Sequence, residues 1–491
     1  MAKIDTLNQL GEKICSEYLG YKPTSNSTKP PHIANGIFRN CTGEYCDTRD
    51  LHNWIVSEEK NNSFSSEQII DMYQGILQNG YQENPTNIKE FRLLLEYIFN
   101  QDNTVYPSYE HSVTTISSHW LIKKRLPSEE GIGDFLFAIL SKIIDEERSP
   151  MIELLQNSLA DDSDDLTKLI KPIITFNSIN ETRNKDMINY PDDIHWDECK
   201  NTIRKGFDNL ANNIKLINES KNSLLVMKRA VCFAGFATFL YLTHANYAVY
   251  GGENIPILID ANAGLDSIKK ASEQTYTAAK KSIEDYFVNS IKNELVNLIP
   301  NDSRVECQKW INEMSFSSST RADEISTALN SYFTSFLTEG DSPILALSRA
   351  LQIALYTFVF KSNSPSDFSR VLGNRCGLIG PKGNRAKIKR YLLNSFTLET
   401  ITLSVIPKES IKDSIDFKSL GELLYNEYNI LIGSDPEEEY KILEQYNVTQ
   451  STPGDLRGDL SINAQRIADI YVSLGLAKRY ADGVTLIEWR Q

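Results

Sequence analysis

Apolar residues recur at intervals of three and four along most of this chain, and that spacing gives a helix one buried face. The pattern is clearest in the segments 89–99 and 134–144, and it returns around 199–215. The first twenty residues follow it through Ile4, Leu7, Leu10, Ile14 and Tyr18. The periodicity therefore predicts a mainly α, multi-domain helical protein with a small β component.

One short run of consecutive apolar residues, 255–259, interrupts the helical pattern in the middle of the chain. The run predicts a strand, because Asp260, a loop and a long helix follow it. Asp266 or Ser267 is the predicted N-cap of that helix. Asp260 can act in catalysis or tie down the loop. We favour the tie, because no second carboxylate or lysine follows at a recognisable interval.

The last ninety residues have the pattern of a separate module. Segment 417–433 predicts a helix with one apolar face, and 437–446 predicts a second short helix. A third helix is predicted over 461–475, with Ser461 as its N-cap and Gly475 just after its end. Two short strands around an Asp-Gly turn complete the module. Three helices followed by a hairpin is the order of a winged helix.

Changes in composition divide the chain into four parts. They are an N-terminal helix and linker (1–36), an N-terminal helical domain (37–157), a central helical domain with a strand near 255–260 and a basic loop at 370–390 (158–400), and a winged-helix-like module (401–491). Residues 20–36 are assigned to the linker because Pro, Ser, Thr and Asn dominate them. The length of 491 residues fits several domains.

The net charge of the chain is −14 and its pI is about 5.1. Such a protein repels the phosphate backbone on average, so nucleic-acid contact requires a local basic patch. No secretory signal begins the chain, the seven cysteines are widely spaced, and the apolar segment 230–242 is too short to span a bilayer. We therefore expect a cytoplasmic protein with reduced thiols and no membrane association.

Residues 370–394 form the exception, because they contain seven Lys or Arg and no Asp or Glu. Four glycines lie three or four residues apart within this stretch, and they allow the backbone to approach an anion closely. From Asn384 onward, the spacing of Ile388, Leu392 and Phe396 predicts an amphipathic helix with a basic exterior. A loop that accepts anions and leads into a basic helix is a reasonable phosphate site.

We expect nine basic side chains to be displayed at the surface and to meet DNA phosphates, mainly without base specificity. They are Arg370, Arg375, Lys382, Arg385, Lys387, Lys389, Arg390, Lys478 and Arg479. The last two lead into the C-terminal hairpin, whose balanced charge equally fits a protein-binding face. Docking on an acidic partner surface and simple solvation are the alternatives for the basic stretch.

Motifs that identify an enzyme are absent or imperfect. No phosphate-binding loop with Gly-Lys followed by Ser or Thr is present, so an NTPase is not expected. Asp192, Glu198 and Lys200 are the residue types of a metal-dependent nuclease. The five residues between the two acids leave little room for the adjacent strands of such a site, so a solvated turn is favoured.

Four residues near the N-terminus have side chains that could together bind a zinc ion. They are His32, Cys41, Cys46 and His52. The gap between the two cysteines is wide for a zinc turn and no second pair exists, so buried or incidental thiols are the favoured interpretation. We expect neither a metal nor another cofactor.

Two C-terminal stretches resemble a known family. GLIGPKGNRAKIKRY, residues 377–391, and LGLAKRYADGVTLI, residues 474–487, are similar to the G subunit of phosphorothioation-dependent DNA restriction systems, which act in bacterial anti-phage defence. The resemblance covers about the last 240 residues, from about Ile255 onward. It implies that NTPase and nuclease activities lie on companion subunits, and it carries over no catalytic residue to this chain.

These observations together predict a non-catalytic subunit of a bacterial DNA restriction or defence complex. The subunit would bridge an NTPase or translocase and a nuclease, and it would contact the backbone of double-stranded DNA. Two alternatives stay open. One is a pure protein–protein scaffold without DNA contact, and the other is the metal-dependent nuclease.

Overall fold

A computed structural model describes residues 7–23, 30–42, 130–159, 196–314, 322–381 and 388–489, except residue 482, together with positions 90 and 93. The described part is mainly helical, which confirms the predicted class at that level. Almost all of the predicted helix at 89–99 lies outside the described residues. So do Cys46, His52 and Asp192.

The elements follow one another along the chain with few strands among them. The helices are α1 (Leu7–Lys13, continued by a π-helical turn over Ile14–Leu19), α2 (Pro30–Thr42), α3 (Ile132–Ser141), α4 (Pro150–Ser158), α5 (Glu198–Leu216), α6 (Ser223–Tyr250), α7 (Asp266–Leu298), α8 (Arg304–Glu313), α9 (Ala322–Glu339), α10 (Pro343–Ala354, continued by a π-helical turn over Leu355–Phe360), α11 (Pro365–Arg375), α12 (Ser395–Val405), α13 (Phe417–Tyr428), α14 (Pro436–Gln445) and α15 (Leu456–Ser473). The strands are β1 (Ile257–Leu258), β2 (Ile379–Gly380), β3 (Arg390–Tyr391), β4 (Ile415–Asp416), β5 (Ile430–Leu431), β6 (Ala477–Arg479) and β7 (Thr485–Ile487). Three short 3-10 turns cover 219–221, 361–363 and 449–451.

Helix α6 is the centre of the core. Asn222 caps its N-terminus by accepting from the amide of Leu225, and Gly251 in the left-handed conformation caps its C-terminus. Most of its residues are buried against α2, α5, α7 and α11, as expected for the apolar segment 230–242. By length and composition alone, Ser223–Tyr250 and Pro343–Phe360 are apolar enough to cross a membrane, and 78% and 56% of their most apolar stretches are buried inside the protein.

Residues 20–36 are not a continuous linker, because helix α2 begins at Pro30. Proline is tolerated in the first turn of a helix, and Ile33 and Ile37 then enter the core. The helix also crosses α3 closely, since a Cβ at Gly133 would lie 2.5 Å from the Ile33 carbonyl oxygen and 2.6 Å from the Gly36 Cα. This tertiary packing overrides the local composition from which the linker was predicted.

Two pairs of short strands lie beside the core. Strands β1 and β5 are parallel, with Ile257 opposite Ile430, and β2 and β3 form an antiparallel hairpin, with Ile379 opposite Tyr391. A parallel bridge between Ile259 and Tyr391 joins the two pairs. The predicted strand at 255–259 is therefore present, and the predicted helix follows it as α7.

The predicted amphipathic helix starting near Asn384 is wrong. Residues 390–391 form strand β3, and helix α12 begins only at Ser395, with the Asn394 side chain accepting from the amide of Thr397. The amide of Leu392 donates to the Leu378 carbonyl at 2.9 Å, and Tyr391 is buried. These residues pair with strand β2, about ten residues earlier, and this pairing outweighs the helical preference that their apolar spacing predicts.

The predicted C-terminal elements are present, with shifted boundaries. Helix α13 buries Leu420, Leu424 and Tyr428 on one face, but it ends at Tyr428 and strand β5 follows. Helix α15 begins earlier than predicted, and Asp455 caps it instead of Ser461. The predicted hairpin forms, and β4 joins it in a sheet of order β4-β7-β6. Helix α12 crosses residue 401, the predicted start of this module.

The N-terminus of α7 also differs from the prediction. Leu265 occupies the cap position without a side-chain hydrogen bond, and Asp266 is the first helical residue. The Ser267 hydroxyl is buried and donates to the Asp459 carboxylate instead. A tertiary contact has replaced the local cap.

Candidate functional site

The basic stretch forms a hairpin with a rigid base. Backbone hydrogen bonds pair β2 with β3, and the Lys389 ammonium donates to the carbonyl of Pro381 at 2.5 Å, across the two ends of the loop. Residues 382–387 between them lie outside the described residues. Three of the nine predicted phosphate-binding residues belong to this segment and therefore also lie outside the described residues: Lys382, Arg385 and Lys387.

Arg390 is mostly buried by its contacts with the loop after β1. Its Nε donates to Oδ2 of Asp260 at 2.5 Å, and the two side chains are 13% and 1% exposed. The other carboxylate oxygen of Asp260 accepts from the amide of Asn262 at 2.6 Å, which confirms the interpretation of Asp260 as a loop tie. Arg390 is thus committed to an internal ion pair.

Lys389 is also buried, with 4% of its surface exposed. Burial lowers the pKa of its ammonium, and the neighbouring Arg370 adds to the effect. The structure therefore places Arg370 close enough to Lys389 to affect its charge. Lys389 is not displayed at the surface and Arg390 is displayed only in part, contrary to the expectation from the sequence.

Arg370 and Arg375 lie on helix α11 and are partly exposed. Arg370 pairs with Asp367 one turn earlier at 3.5 Å, a contact worth little at such exposure. Arg375 stands in the last turn, where a cation is favoured by the helix dipole. Both residues lie on the helix that leads into the hairpin.

Lys478 and Arg479 lie elsewhere, on the C-terminal hairpin. Lys478 forms an ion pair at 2.7 Å with Glu488, the residue directly after β7. Arg479 forms an ion pair at 2.9 Å with Asp469 of α15. Both are about half exposed, and each charge is offset by a carboxylate of the same module. This module presents no excess of positive charge at these two positions.

The first half of helix α15 docks on the protein's own strands. The Asn463 side chain donates to the carbonyls of Ile259 at 2.9 Å and Ile432 at 3.3 Å, and it accepts from the amide of Ala261 at 2.9 Å. Asn463 is fully buried. The carboxyl ends of β1 and β5 are therefore held by one side chain of α15, a role that its sequence context did not reveal.

The second half of the module is unusually apolar at its surface. Ten large apolar side chains are exposed among the described residues, and half of them lie in α15 and the hairpin after it. We call these residues the C-terminal apolar face: Ile462, Val472, Leu474, Tyr480 and Val484. Helical periodicity could have identified Ile462 and Val472 as apolar positions outside the buried stripe.

The alternative sites gain no support from the described residues. Glu198 is exposed, whereas Lys200 is buried beside the rings of Phe135 and Tyr241 and pairs with Asp197. Of the four candidate zinc ligands, only the side chain of Cys41 is described, and burial raises the pKa of its thiol to about 12. No three His, Cys, Asp or Glu side chains in the described ranges are grouped to hold a metal.

Comparison of the chain with protein-family models, with curated proteins and with solved structures gives no match.

Proposed function

We propose that this chain is a non-catalytic, cytoplasmic subunit of a bacterial DNA restriction or defence complex. Its C-terminal module binds a partner subunit, and its basic hairpin contacts DNA phosphates. The resemblance of residues 377–391 and 474–487 to a restriction-system subunit suggested this class. The burial of Lys389 and Arg390 at the hairpin base and the exposed apolar residues of the C-terminal module support these two separate roles.

The elements of the C-terminal module support its comparison with a winged helix. Helix α12, strand β4, helices α13 and α15, and the hairpin follow one another, and β4 pairs beside β7 in the order β4-β7-β6. Strand β5 and helix α14 are inserted between the second and third helices of this pattern. We therefore interpret residues 395–489 as a winged-helix-like module with one insertion.

The docking of α15 carries the proposal of protein binding. In DNA-reading modules of this kind, the N-terminal residues of the equivalent helix enter the major groove. Here that half of the helix contacts β1 and β5 through Asn463 and α7 through Asp459. The residues of the C-terminal apolar face stay exposed, and a concentration of exposed large apolar side chains in one part of a chain favours a protein interface. The module therefore suits a partner protein better than a base sequence.

A second role, phosphate contact, is supported by the geometry of the hairpin base. Lys389 and Arg390 fix the two ends of the segment 382–387, which carries three cations and no acid. Arg370 and Arg375 lie on α11, the helix that leads into the same hairpin. We assign phosphate contact to Lys382, Arg385 and Lys387 with these two arginines, and we assign Lys389 and Arg390 to holding the hairpin.

Native purification of the tagged full chain from its own cells, followed by mass spectrometry, tests the proposed class. We expect a nucleic-acid translocase or NTPase and a nuclease to co-purify in fixed ratio. A chain that always purifies alone would count against the proposal. Co-purification combined with no DNA binding at low salt would instead favour the pure scaffold.

A further inference from the structure

Three consecutive residues after strand β1 are held by two different parts of the chain. We call residues 260–262 the shared loop. From one side, Arg390 of the basic hairpin donates to the Asp260 carboxylate through Nε at 2.5 Å and to Oδ1 of Asn262 through a terminal nitrogen at 3.4 Å. The Asp260 amide also donates to the Tyr391 carbonyl at 2.9 Å. The hairpin therefore contacts both ends of the shared loop.

Helix α15 contacts the middle of the shared loop. The buried side chain of Asn463 accepts from the amide of Ala261 at 2.9 Å, and it donates at 2.9 Å to the carbonyl of Ile259, which directly precedes the loop. A third hydrogen bond, to the carbonyl of Ile432 at 3.3 Å, connects the same side chain to the end of β5. Truncation of Asn463 would therefore remove a hydrogen bond from three backbone groups at once.

The backbone of the shared loop needs support from outside the loop. Asn262 has a φ of +58°, in the left-handed region that residues other than glycine seldom adopt, although Asn tolerates it better than most. Within the loop, Oδ1 of Asp260 supports this geometry by accepting from the amide of Asn262 at 2.6 Å. The same carboxylate is the one that Arg390 holds through Oδ2. The orientation of this local hydrogen bond therefore depends on the hairpin.

Two contacts that require the same loop conformation stabilise each other. Fixing the backbone of a loop costs conformational entropy, and the contact that forms first lowers the cost of forming the second. Arg390 and Asn463 act on different residues of the shared loop, yet both require its observed conformation. Loss of either contact should therefore weaken the other, and such a coupling is reciprocal.

We propose that the shared loop couples the docking of α15 to the base of the basic hairpin, so that partner binding on α15 strengthens phosphate contact by the hairpin. This consequence rests on the proposed function. Ile462 of the C-terminal apolar face is exposed directly beside the buried Asn463, so a partner on that face stabilises the docked position of the helix. The docked helix holds the shared loop, and Asp260 of the loop holds Arg390 at the hairpin base.

Hydrogen exchange of the full chain without DNA or partner, followed by mass spectrometry of its peptides, measures the coupling inside the protein. Asn463→Ala should increase the opening of peptides covering 388–394 on the order of tenfold. In the reverse direction, Arg390→Met should increase the opening of peptides covering 456–464 by a similar factor. Each substitution lies outside the peptide in which its effect is measured.

Asn213→Ala is the matched control. Asn213 is also buried and donates to two carbonyls at 2.8 Å, those of Leu403 in α12 and Ile406 just after it. This variant should leave the exchange of 388–394 unchanged, and an increase equal to that of Asn463→Ala would overturn the proposal. Exchange that Asn463→Ala does not alter would also overturn it. Should the first variants fold poorly, the milder Arg390→Lys should increase the opening of 456–464 to a smaller extent.

Affinity for a short duplex DNA of random sequence at low salt separates this inference from the proposed function. Asn463→Ala should bind the duplex on the order of tenfold more weakly than the wild-type chain, and Asn213→Ala should bind it equally well. Coupled exchange in a chain that binds no DNA would leave the coupling standing and remove the proposed phosphate contact. DNA binding that Asn463→Ala leaves unchanged would do the reverse.

Discussion

Arg390 and Asp260 are separated by 130 positions in the chain and form an ion pair with 2.5 Å between Nε and Oδ2. The pair anchors the basic hairpin to the loop after β1. The same loop is held from the other side, where the amide of Ala261 donates to Asn463 of α15. The two proposed interfaces are therefore built on one short segment, residues 260–262.

Removal of one member of this pair should destabilise the protein strongly. Asp260→Ala leaves the Arg390 guanidinium partly buried without its carboxylate, and we expect the free energy of unfolding to fall by about 3 kcal/mol. The double variant Asp260→Ala with Arg390→Met should lose less than the sum of the single variants. Urea unfolding of the four proteins measures the coupling, and additive losses would show that the pair is not coupled.

The close contact of Gly433 with α15 predicts an unequal response of two glycines with similar backbone angles. Gly433 and Gly475 have φ values of +86° and +72°, and only Gly475 has open space around a built Cβ. Gly475→Ala should cost about 1 kcal/mol from backbone strain alone. Gly433→Ala should cost at least about 3 kcal/mol, because the Leu460 carbonyl must also move. Equal losses in urea unfolding would contradict the close contact between Gly433 and the Leu460 carbonyl oxygen.

His244 predicts a loss of stability in mild acid. Burial lowers the pKa of its imidazole from 6.5 to about 4, so the folded chain binds fewer protons than the unfolded chain between these values. Stability from this residue is complete above about pH 6.5 and falls by about 3 kcal/mol as pH drops to 4. In His244→Leu, the contribution of this residue to the pH profile of unfolding should be absent. An unchanged profile would show that His244 is accessible to protons in the folded state.

Salt dependence tests phosphate contact by the hairpin. Each bound phosphate should add about −0.9 to the slope of log affinity against log salt on duplex DNA. Reversal of Lys382, Arg385 and Lys387 to Glu should flatten the slope by about 0.9 for each phosphate that the hairpin no longer binds. The matched control reverses the exposed Lys309, Lys408 and Lys412 and changes the net charge equally. A slope that responds identically to both variants would remove the DNA role from the hairpin.

The sequence predicted the elements that local periodicity and turn chemistry determine. The apolar face of α13, the C-terminal hairpin and the strand–loop–helix unit from β1 to α7 are of this kind. Strand β3 was missed because Ile388, Leu392 and Phe396 have helical spacing. A strand of two residues is also too short to show alternation. Only its pairing with β2 defines it.

The contacts that shape the candidate site were beyond local prediction. Asp260 meets Arg390 and Ile259 meets Asn463 across more than a hundred residues, so no short-range pattern links them. Positive charge in a stretch of sequence does not tell which side chains face solvent. Lys389 and Arg390 were therefore assigned to the surface, although both hold the base of the hairpin.

The most direct test of the central claim compares co-purified partners by quantitative mass spectrometry. Val472→Glu with Tyr480→Glu places charges on the C-terminal apolar face, and Val296→Glu with Val305→Glu places the same charges on exposed apolar positions elsewhere. We predict that a partner bound in fixed ratio to the wild-type chain and to the control pair is absent from the first pair. A partner retained equally by all three proteins would contradict the proposed protein-binding role of this face.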